Sequence, residues 1–277
     1  MPTVIDHPYR EFERSGWERA AGAYASTFEK ATGLFALPLL EAVELREQMQ
    51  LLDVACGTGS VAAAAAERGA VSVGVDFSAK MIAAANLLHP ALQFREADAE
   101  ALPFSDCAFD AVVINFGVHH FPFPLQALRE AYRVVRPGGR LAFTVWASPE
   151  KHALHEITLG ALRETGVTGA ALPTPPGRAI NEMATCMALL FESGFTTPPP
   201  QAQDHVAFLW LESEQHLVDM LLHGTVRLST VIASQPREKV EAILAAIRKT
   251  ASSYRFGGRL RIPVTAILAG GTKPMAS

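Results

Sequence analysis

Leu51-Leu52-Asp53-Val54-Ala55-Cys56-Gly57-Thr58-Gly59-Ser60-Val61-Ala62 is the stretch whose reading decides the fold. Leu51 to Val54 reads as a short apolar strand interrupted by one acid, Asp53. Gly57 and Gly59 make a turn, and the Ala-rich run from Val61 to Arg68 favours helix. Together they form a ligand cradle. Glycine lets backbone approach a ligand and take φ > 0, and the free N–H groups of the helix start sit just behind. The spacing Gly57-x-Gly59-x-x-Ala62 also fits a dinucleotide-binding turn. Asp53 separates the readings, because a carboxylate there brings nothing to a pyrophosphate and suits a ligand carrying positive charge. The next strand, Val71 to Asp76, ends in an acid that could accept two ribose hydroxyls of either ligand.

Outward from this unit, strand and helix alternate. Ser78 caps a helix over 79–88. A third strand, Leu92 to Ala97, leads to Asp98-Ala99. Phe109-Asp110 opens a fourth, Ala111 to Asn115, whose continuous apolar run suits a central parallel strand. Gly117-Val118-His119-His120 follows at its C-terminal end. A helix over 124–135 stops at Arg136-Pro137-Gly138-Gly139, and Arg140 to Trp146 is the fifth strand. This order predicts a doubly wound, mostly parallel α/β sheet, with ligands outside the C-terminal strand ends. Downstream, Arg178 to Ser193 reads as helix, His205 to Leu211 as strand and Leu260 to Leu268 as the final strand. Pro263 demands a bulge or an edge-like position there. Upstream, Phe12, Trp17, Ala20, Ala21, Tyr24 and Phe28 fall near one face of a helix over 11–31, which either packs on the sheet or closes over a ligand. Pro38 opens a second helix through Glu47. Residues 148–177 are partly Gly/Pro-rich, with Pro173, Pro175 and Pro176, and 212–258 hold helices near 213–227 and 236–251.

The chain has 277 residues, 49% of them apolar and 19% charged, enough for a full core. A net charge of −4 and a pI near 6.1 argue against a nucleic-acid surface. Cys56, Cys107 and Cys186 form no CxxC pair, which points to a reducing compartment rather than a disulfide framework. No apolar run reaches the ~18 residues of a spanning helix. The N-terminus, with Asp6, Arg10, Glu11, Glu13 and Arg14, lacks the order of a signal peptide. These features predict a cytoplasmic protein with no membrane partner; a homo-oligomer stays open.

Five blocks, LLDVACGTG, VGVDFS, READAEALPF, FDAVVINFGVHHF and LREAYRVVRPGGRLAF, run in order over 51–146. In sequence and spacing this region resembles the class I S-adenosylmethionine-dependent methyltransferases. The likeness is to the branch with the ubiquinone/menaquinone-biosynthesis C-methyltransferases and small-molecule methyltransferases of natural-product pathways. The resemblance implies a Rossmann-like seven-stranded sheet with an antiparallel last strand and helical cap insertions. It implies a helical cover over 1–50 and a cofactor core over 51–147. An insertion and return of the core follow over 148–211, then a helical lid over 212–258, and the final strand and tail over 259–277. It further implies that Gly57, Gly59 and the backbone at Ala55 approach the methionine part of S-adenosylmethionine, with Asp53 supporting its amino group. Asp76 accepts from the ribose, Phe77 and Met81 cover the adenine, and Asp98 with Ala99 meets the adenine edge. Asn115 and Phe116 lie nearest the transferable methyl.

Methyl transfer is an in-line displacement that needs alignment above all, and a base only where the nucleophile must lose a proton. His119 and His120 are the candidates. Adjacent side chains on extended backbone point opposite ways, which places His119 in the cleft and leaves His120 a packing role. His152 and His155 share a helix face without an acid or Cys partner set, so no metal site is expected. Trp210, Leu217, Met220, Leu221, Leu222, Val226, Leu228, Val231 and Ile232 serve either helix packing or a pocket for a small, partly apolar acceptor. The reading is methyl transfer to O, N or C of a small molecule. Two alternatives stay open: an NAD(P)-dependent reductase on a similar fold, and an S-adenosylmethionine-binding protein that transfers no methyl group.

Overall fold

Leu51 and Leu52, like Val112 and Val113, send successive side chains to opposite faces of a strand, so both faces of the central strands must be covered. The computed structural model describes residues 7–167, 172–175 and 179–275 and shows how. Its strands are β1 (Gln50–Val54), β2 (Val71–Asp76), β3 (Gln93–Glu96), β4 (Phe109–Asn115), β5 (Val135–Trp146), β6 (Gln201–Leu211), β7 (Arg255–Phe256) and β8 (Arg259–Thr272). They form one sheet in the order β3-β2-β1-β4-β5-β8-β6, with the two-residue β7 paired to β8. The first five run parallel. β8 is inserted antiparallel between β5 and β6. The expected sheet of seven strands with an antiparallel last strand is present, and β7 adds an eighth.

The helices are α1 (Pro8–Tyr24), α2 (Glu29–Thr32), α3 (Ala36–Ala42), α4 (Ser60–Ala66), α5 (Ala79–Leu88), α6 (Pro124–Val134), α7 (Ala153–Glu164), α8 (Met183–Glu192), α9 (Glu214–Gly224), α10 (Arg227–Ala233) and α11 (Arg237–Ala251). On one face Leu52, Val54, Val112, Ile114 and Phe143 pack against Leu128 and Val134 of α6 and Leu190 of α8. On the other, Leu51, Ala111, Val113 and Ala142 meet Leu39 and Leu40 of α3 and Val61 and Ala65 of α4. A further cluster joins α7, α9 and α11 to the parts of β6 and β8 beyond the end of β5. No helix among the described residues is long and apolar enough to cross a membrane.

Several boundaries differ from the sequence reading, each for a local reason. The first helix stops at Tyr24, because the Ser26 and Thr27 hydroxyls donate to the Ala23 carbonyl and a turn follows before α2. The second starts at Ala36, since proline is tolerated in a first turn, and ends at Ala42, ahead of Glu44 at φ 50°. Helix α8 begins at Met183 rather than Arg178. Asp6, Pro176 and Arg178 lie outside the described residues. The insertion after β6 holds three helices, not two, because Gly224-Thr225 interrupts the first. Pro263 pairs with Phe208 of β6 without a bulge. β5 ends at the Trp146–Ala266 pair, so Pro263 has no neighbour on that side and sits as on an edge.

Gly59 precedes α4 at φ 87°, and a Cβ there would lie 2.6 Å from Phe94 Cζ. Gly59→Ala combines left-handed strain with overpacking, so it should cost about 2–4 kcal/mol. A lower urea midpoint with an unchanged slope would show this; equal midpoints would contradict it.

Candidate functional site

The C-terminal ends of β1, β2 and β4 meet at a rim of unusual backbone. Ala55 (φ 56°), Gly57 (φ 53°) and Phe116 (φ 55°) all take left-handed conformations. Non-glycine residues rarely do so, and such strain gathers at functional sites. These three line a cavity of about 640 Å³ together with Asp76, Phe77, Met81, Asp98, Ala99 and Asn115. Nine of the eleven residues assigned to the cofactor from the sequence therefore surround one space.

Asp76 is the most constrained of them. Its Oδ2 accepts from Gly57 N–H at 3.0 Å and its Oδ1 from Ser78 N–H at 2.9 Å. Burial pushes its carboxyl up to about 6, and the backbone donors at Ser78, Gly57 and Phe77 pull the other way. With three backbone donors on about four lone-pair sites, the carboxylate keeps acceptor capacity for a further donor. Asn115 is also held, its Nδ2 donating to the Thr32 carbonyl and its Oδ1 accepting from the Thr144 hydroxyl. Phe116 stacks on Trp146 with ring centroids 3.9 Å apart.

Asp53 and Gly59 do not line the cavity. Asp53 shares a strand face with Leu51 and is fully buried beneath α4, where its Oδ2 accepts from Ala62 N–H at 3.1 Å and its Oδ1 has no partner. Burial pushes this carboxyl up to about 8. Gly59 shapes the entry to α4 from behind the rim.

Helix α1 closes the cavity from outside the strand–helix core. Arg10, Trp17 and Tyr24, spaced by seven residues and hence on one face, all line it. The Arg10 guanidinium donates to both Asp98 and Glu100. Glu100 in turn accepts from Phe123 N–H at 2.8 Å. Burial raises the Glu100 carboxyl against the pull of Phe123 N–H and Arg10.

A second cavity of about 1530 Å³ adjoins the first, and Trp17, His120 and Phe121 line both. Its wall includes Tyr9, Phe28, Trp146, Leu221, Val226 and Leu228, so part of the apolar insertion faces a pocket while Leu217, Met220 and Ile232 pack in the core. Four imidazoles stand on this wall: His119, His120, His152 and His155. Burial holds His119 well below the ordinary imidazole value, lowers His155 and brings His152 to about 3, so all three are neutral at pH 7. His152 Nδ1 accepts from Thr265 N–H at 3.2 Å, which fixes the proton on Nε2. Among the described residues no group of three His, Cys, Asp or Glu could hold a metal ion.

His120 faces both cavities, whereas His119 lines the second alone. Opposed side chains belong to extended backbone, but Val118–His120 forms a 3₁₀ turn, in which neighbouring residues do not alternate. Sequence reasoning missed Arg10 and Glu100 in the first cavity and Arg227 in the second. The signal for Arg10 was its heptad spacing from Trp17 and Tyr24; nothing local marked the others.

The strand order, the left-handed rim and a cavity at the C-terminal strand ends define a Rossmann-like ligand-binding fold. A sequence profile described as a methyltransferase domain matches residues 52–143. The chain is 34% identical over 165 residues to a demethylmenaquinone methyltransferase of Streptomyces avermitilis, covering 59% of this chain and 68% of that one. It is 47% identical over 110 residues to one of Thermus thermophilus, covering 38% and 50%. The YcgJ protein of Bacillus subtilis shares the fold at 19% identity and a TM-score of 0.55, with 87% and 98% covered. The chain belongs to the class I S-adenosylmethionine-dependent methyltransferase family. It spans about half the length of several of the curated relatives it matches.

The residues present fit that family's cofactor on their own chemistry. A buried carboxylate with remaining acceptor capacity, Asp76, lines the same cavity as an apolar pair, Phe77 and Met81, and a rim of close-approach backbone.

Asp53 gives a pH test. Its carboxyl is raised in the fold above the ~3.9 of an unfolded Asp, so folding takes up a proton between these values. Its contribution is full below pH ~4 and is lost as pH rises towards about 8, at up to ~1.4 kcal/mol per pH unit. Asp53→Asn keeps an acceptor for Ala62 N–H and removes the titration. Denaturant melts from pH 5 to 8 should show a flatter slope for the variant; parallel curves would contradict the assignment.

Proposed function

We propose that the protein transfers a methyl group from S-adenosylmethionine to a small, largely apolar acceptor carrying an acidic hydroxyl or an activated ring carbon, a quinol being the leading case. The observation that carries this reading is the junction of two cavities, one walled by acids and the other by aromatic and neutral imidazole side chains, with His120 on both. The names of the curated relatives point to a quinol.

Asp76 accepts from the ribose hydroxyls with its remaining acceptor capacity, while Phe77 and Met81 cover the adenine. Asp98, oriented by Arg10, meets the adenine edge beside Ala99. Ala55 and Gly57 bring backbone against the methionine part, and Asn115 and Phe116 stand where the methyl group leaves. When bound, the cofactor supplies a sulfonium methyl whose carbon is open to in-line displacement. His120 takes the acceptor's proton as neutral imidazole. Trp17 and Phe121 hold the acceptor ring at the junction, and Arg227 gives the second cavity a cation among its described wall residues. Helix α1 and the α9–α10 insertion act as the cover, close packing at Gly16 letting α1 cross Val226. Excluding water at the junction favours displacement over hydrolysis.

Calorimetry should show binding of S-adenosylmethionine and S-adenosylhomocysteine, with no heat from NADH; comparable NADH affinity would favour a reductase. Asp76→Ala should weaken binding by ~1–3 kcal/mol in a folded protein. Wild-type affinity should fall as pH drops through about 6, because protonation removes the charged acceptor. Unchanged affinity in Asp76→Ala would misplace the ribose. With a reduced naphthoquinone bearing a short prenyl chain, the product should gain the mass of one methylene group. His120→Ala should lose ~10²–10⁴-fold in rate, more than His119→Ala. Equal losses would return the base to His119 or to neither.

A further inference from the structure

We infer that Glu13 of α1 is the positioning residue for His120, fixing its proton on Nδ1 and leaving Nε2 free as the base. This rests on the methyl-transfer reading only for the use to which the base is put.

Glu13 has no exposed surface, although Arg14 follows it directly in α1. Burying a carboxylate is costly unless its oxygens are partnered. Oε2 accepts from Trp17 Nε1 at 3.1 Å and lies 2.9 Å from His120 Nδ1; Oε1 has no partner. Arg10, one turn away on the same helix, is committed to Asp98 and Glu100, so it does not neutralise Glu13. The other polar groups facing Glu13 are the Tyr9 hydroxyl, which donates to the His119 carbonyl at 3.3 Å, and the imidazole of His120 itself.

The Trp17 ring meets the His120 ring edge-on at 5.0 Å and 88°, so one helix supplies both the carboxylate at Nδ1 and the wall that sets the ring plane. The Glu13–His120 contact is within ion-pair distance but outside hydrogen-bond angles. Base–orienter pairs without substrate are often misaligned in this way and tighten in the reactive complex. An imidazole whose Nδ1–H is taken by a carboxylate presents a lone pair at Nε2. His120 borders both cavities, so that lone pair belongs where cofactor and acceptor meet. The core contributes the imidazole and the cover contributes its orienting carboxylate. The base is therefore complete only while α1 lies over the cofactor cavity.

The test reads the tautomer directly, by long-range ¹H–¹⁵N NMR of the histidine side chains in the full chain saturated with S-adenosylhomocysteine. His120 of the wild type should be the Nδ1–H form. Glu13→Gln should keep that form, because the amide oxygen can accept the same proton, and Glu13→Leu should lose it. An Nε2–H form in the wild type, or an unchanged form in Glu13→Leu, overturns the proposal without any need for turnover. With the prenylated naphthoquinol as probe, Glu13→Leu should lower kcat by up to ~10²–10⁴-fold while KM for the quinol holds. It should cost nothing further in a His120→Ala background. Additive losses would mark Glu13 as a structural anchor of α1. If the quinol is not methylated, the proposed acceptor fails, and the tautomer still decides the role of Glu13.

Discussion

The site depends on one carboxylate. Asp76 ends β2 and accepts two backbone N–H groups from different segments, Gly57 after β1 and Ser78 before α5. Pairing of β1 with β2, Val54 opposite Val75, brings the turn within its reach. Without it the part-buried Gly57 N–H would lose this partner. Asp76 thus ties the left-handed Gly57 to the start of α5. The same buried carboxylate keeps acceptor capacity for a further donor. One residue thus shapes the rim and offers the rim's main polar recognition.

A second constraint fixes the cover. The ion network of Arg10 with Asp98 and Glu100 joins α1 to a loop 88 residues further along the chain. Buried ion pairs are weak sources of stability, since desolvation offsets much of the attraction. Their value lies in register: a guanidinium forked between two carboxylates permits one rotation of the helix. That rotation turns Trp17 and Tyr24 inward and places Glu13 against His120. Gly16 completes the fit, because any Cβ there would collide with Val226.

The core was legible in the sequence because its signals are local and repeated. Alternating apolar runs, the Ser78 cap and the Gly-Gly stop after α6 each specify a neighbouring element, and the strand-end acids follow from the strands. Asp53 draws attention by its charge, but its place follows from its register. Two residues from Leu51, it had to share that residue's face and lie under α4. His119 and His120 lie on a 3₁₀ turn, where the alternation expected of a strand does not apply. Glu13 and Glu100 could not be read at all, since their meaning comes from partners about 90 to 107 residues away in the chain.

The two cavities differ in charge, and the difference has a chemical consequence. The cofactor side holds Asp76, Asp98 and Glu100 against a single arginine. The acceptor side holds imidazoles that burial keeps neutral. A cationic ligand is thus drawn to the first space and gains little in the second, while an uncharged ring is accepted in the second at no electrostatic cost. Protonating His119, His152 or His155 would mean charging a buried group. His120 is the imidazole with a carboxylate at its back. Under the proposed mechanism, the helix that brings Glu13 to His120 is what distinguishes this imidazole from its three neighbours.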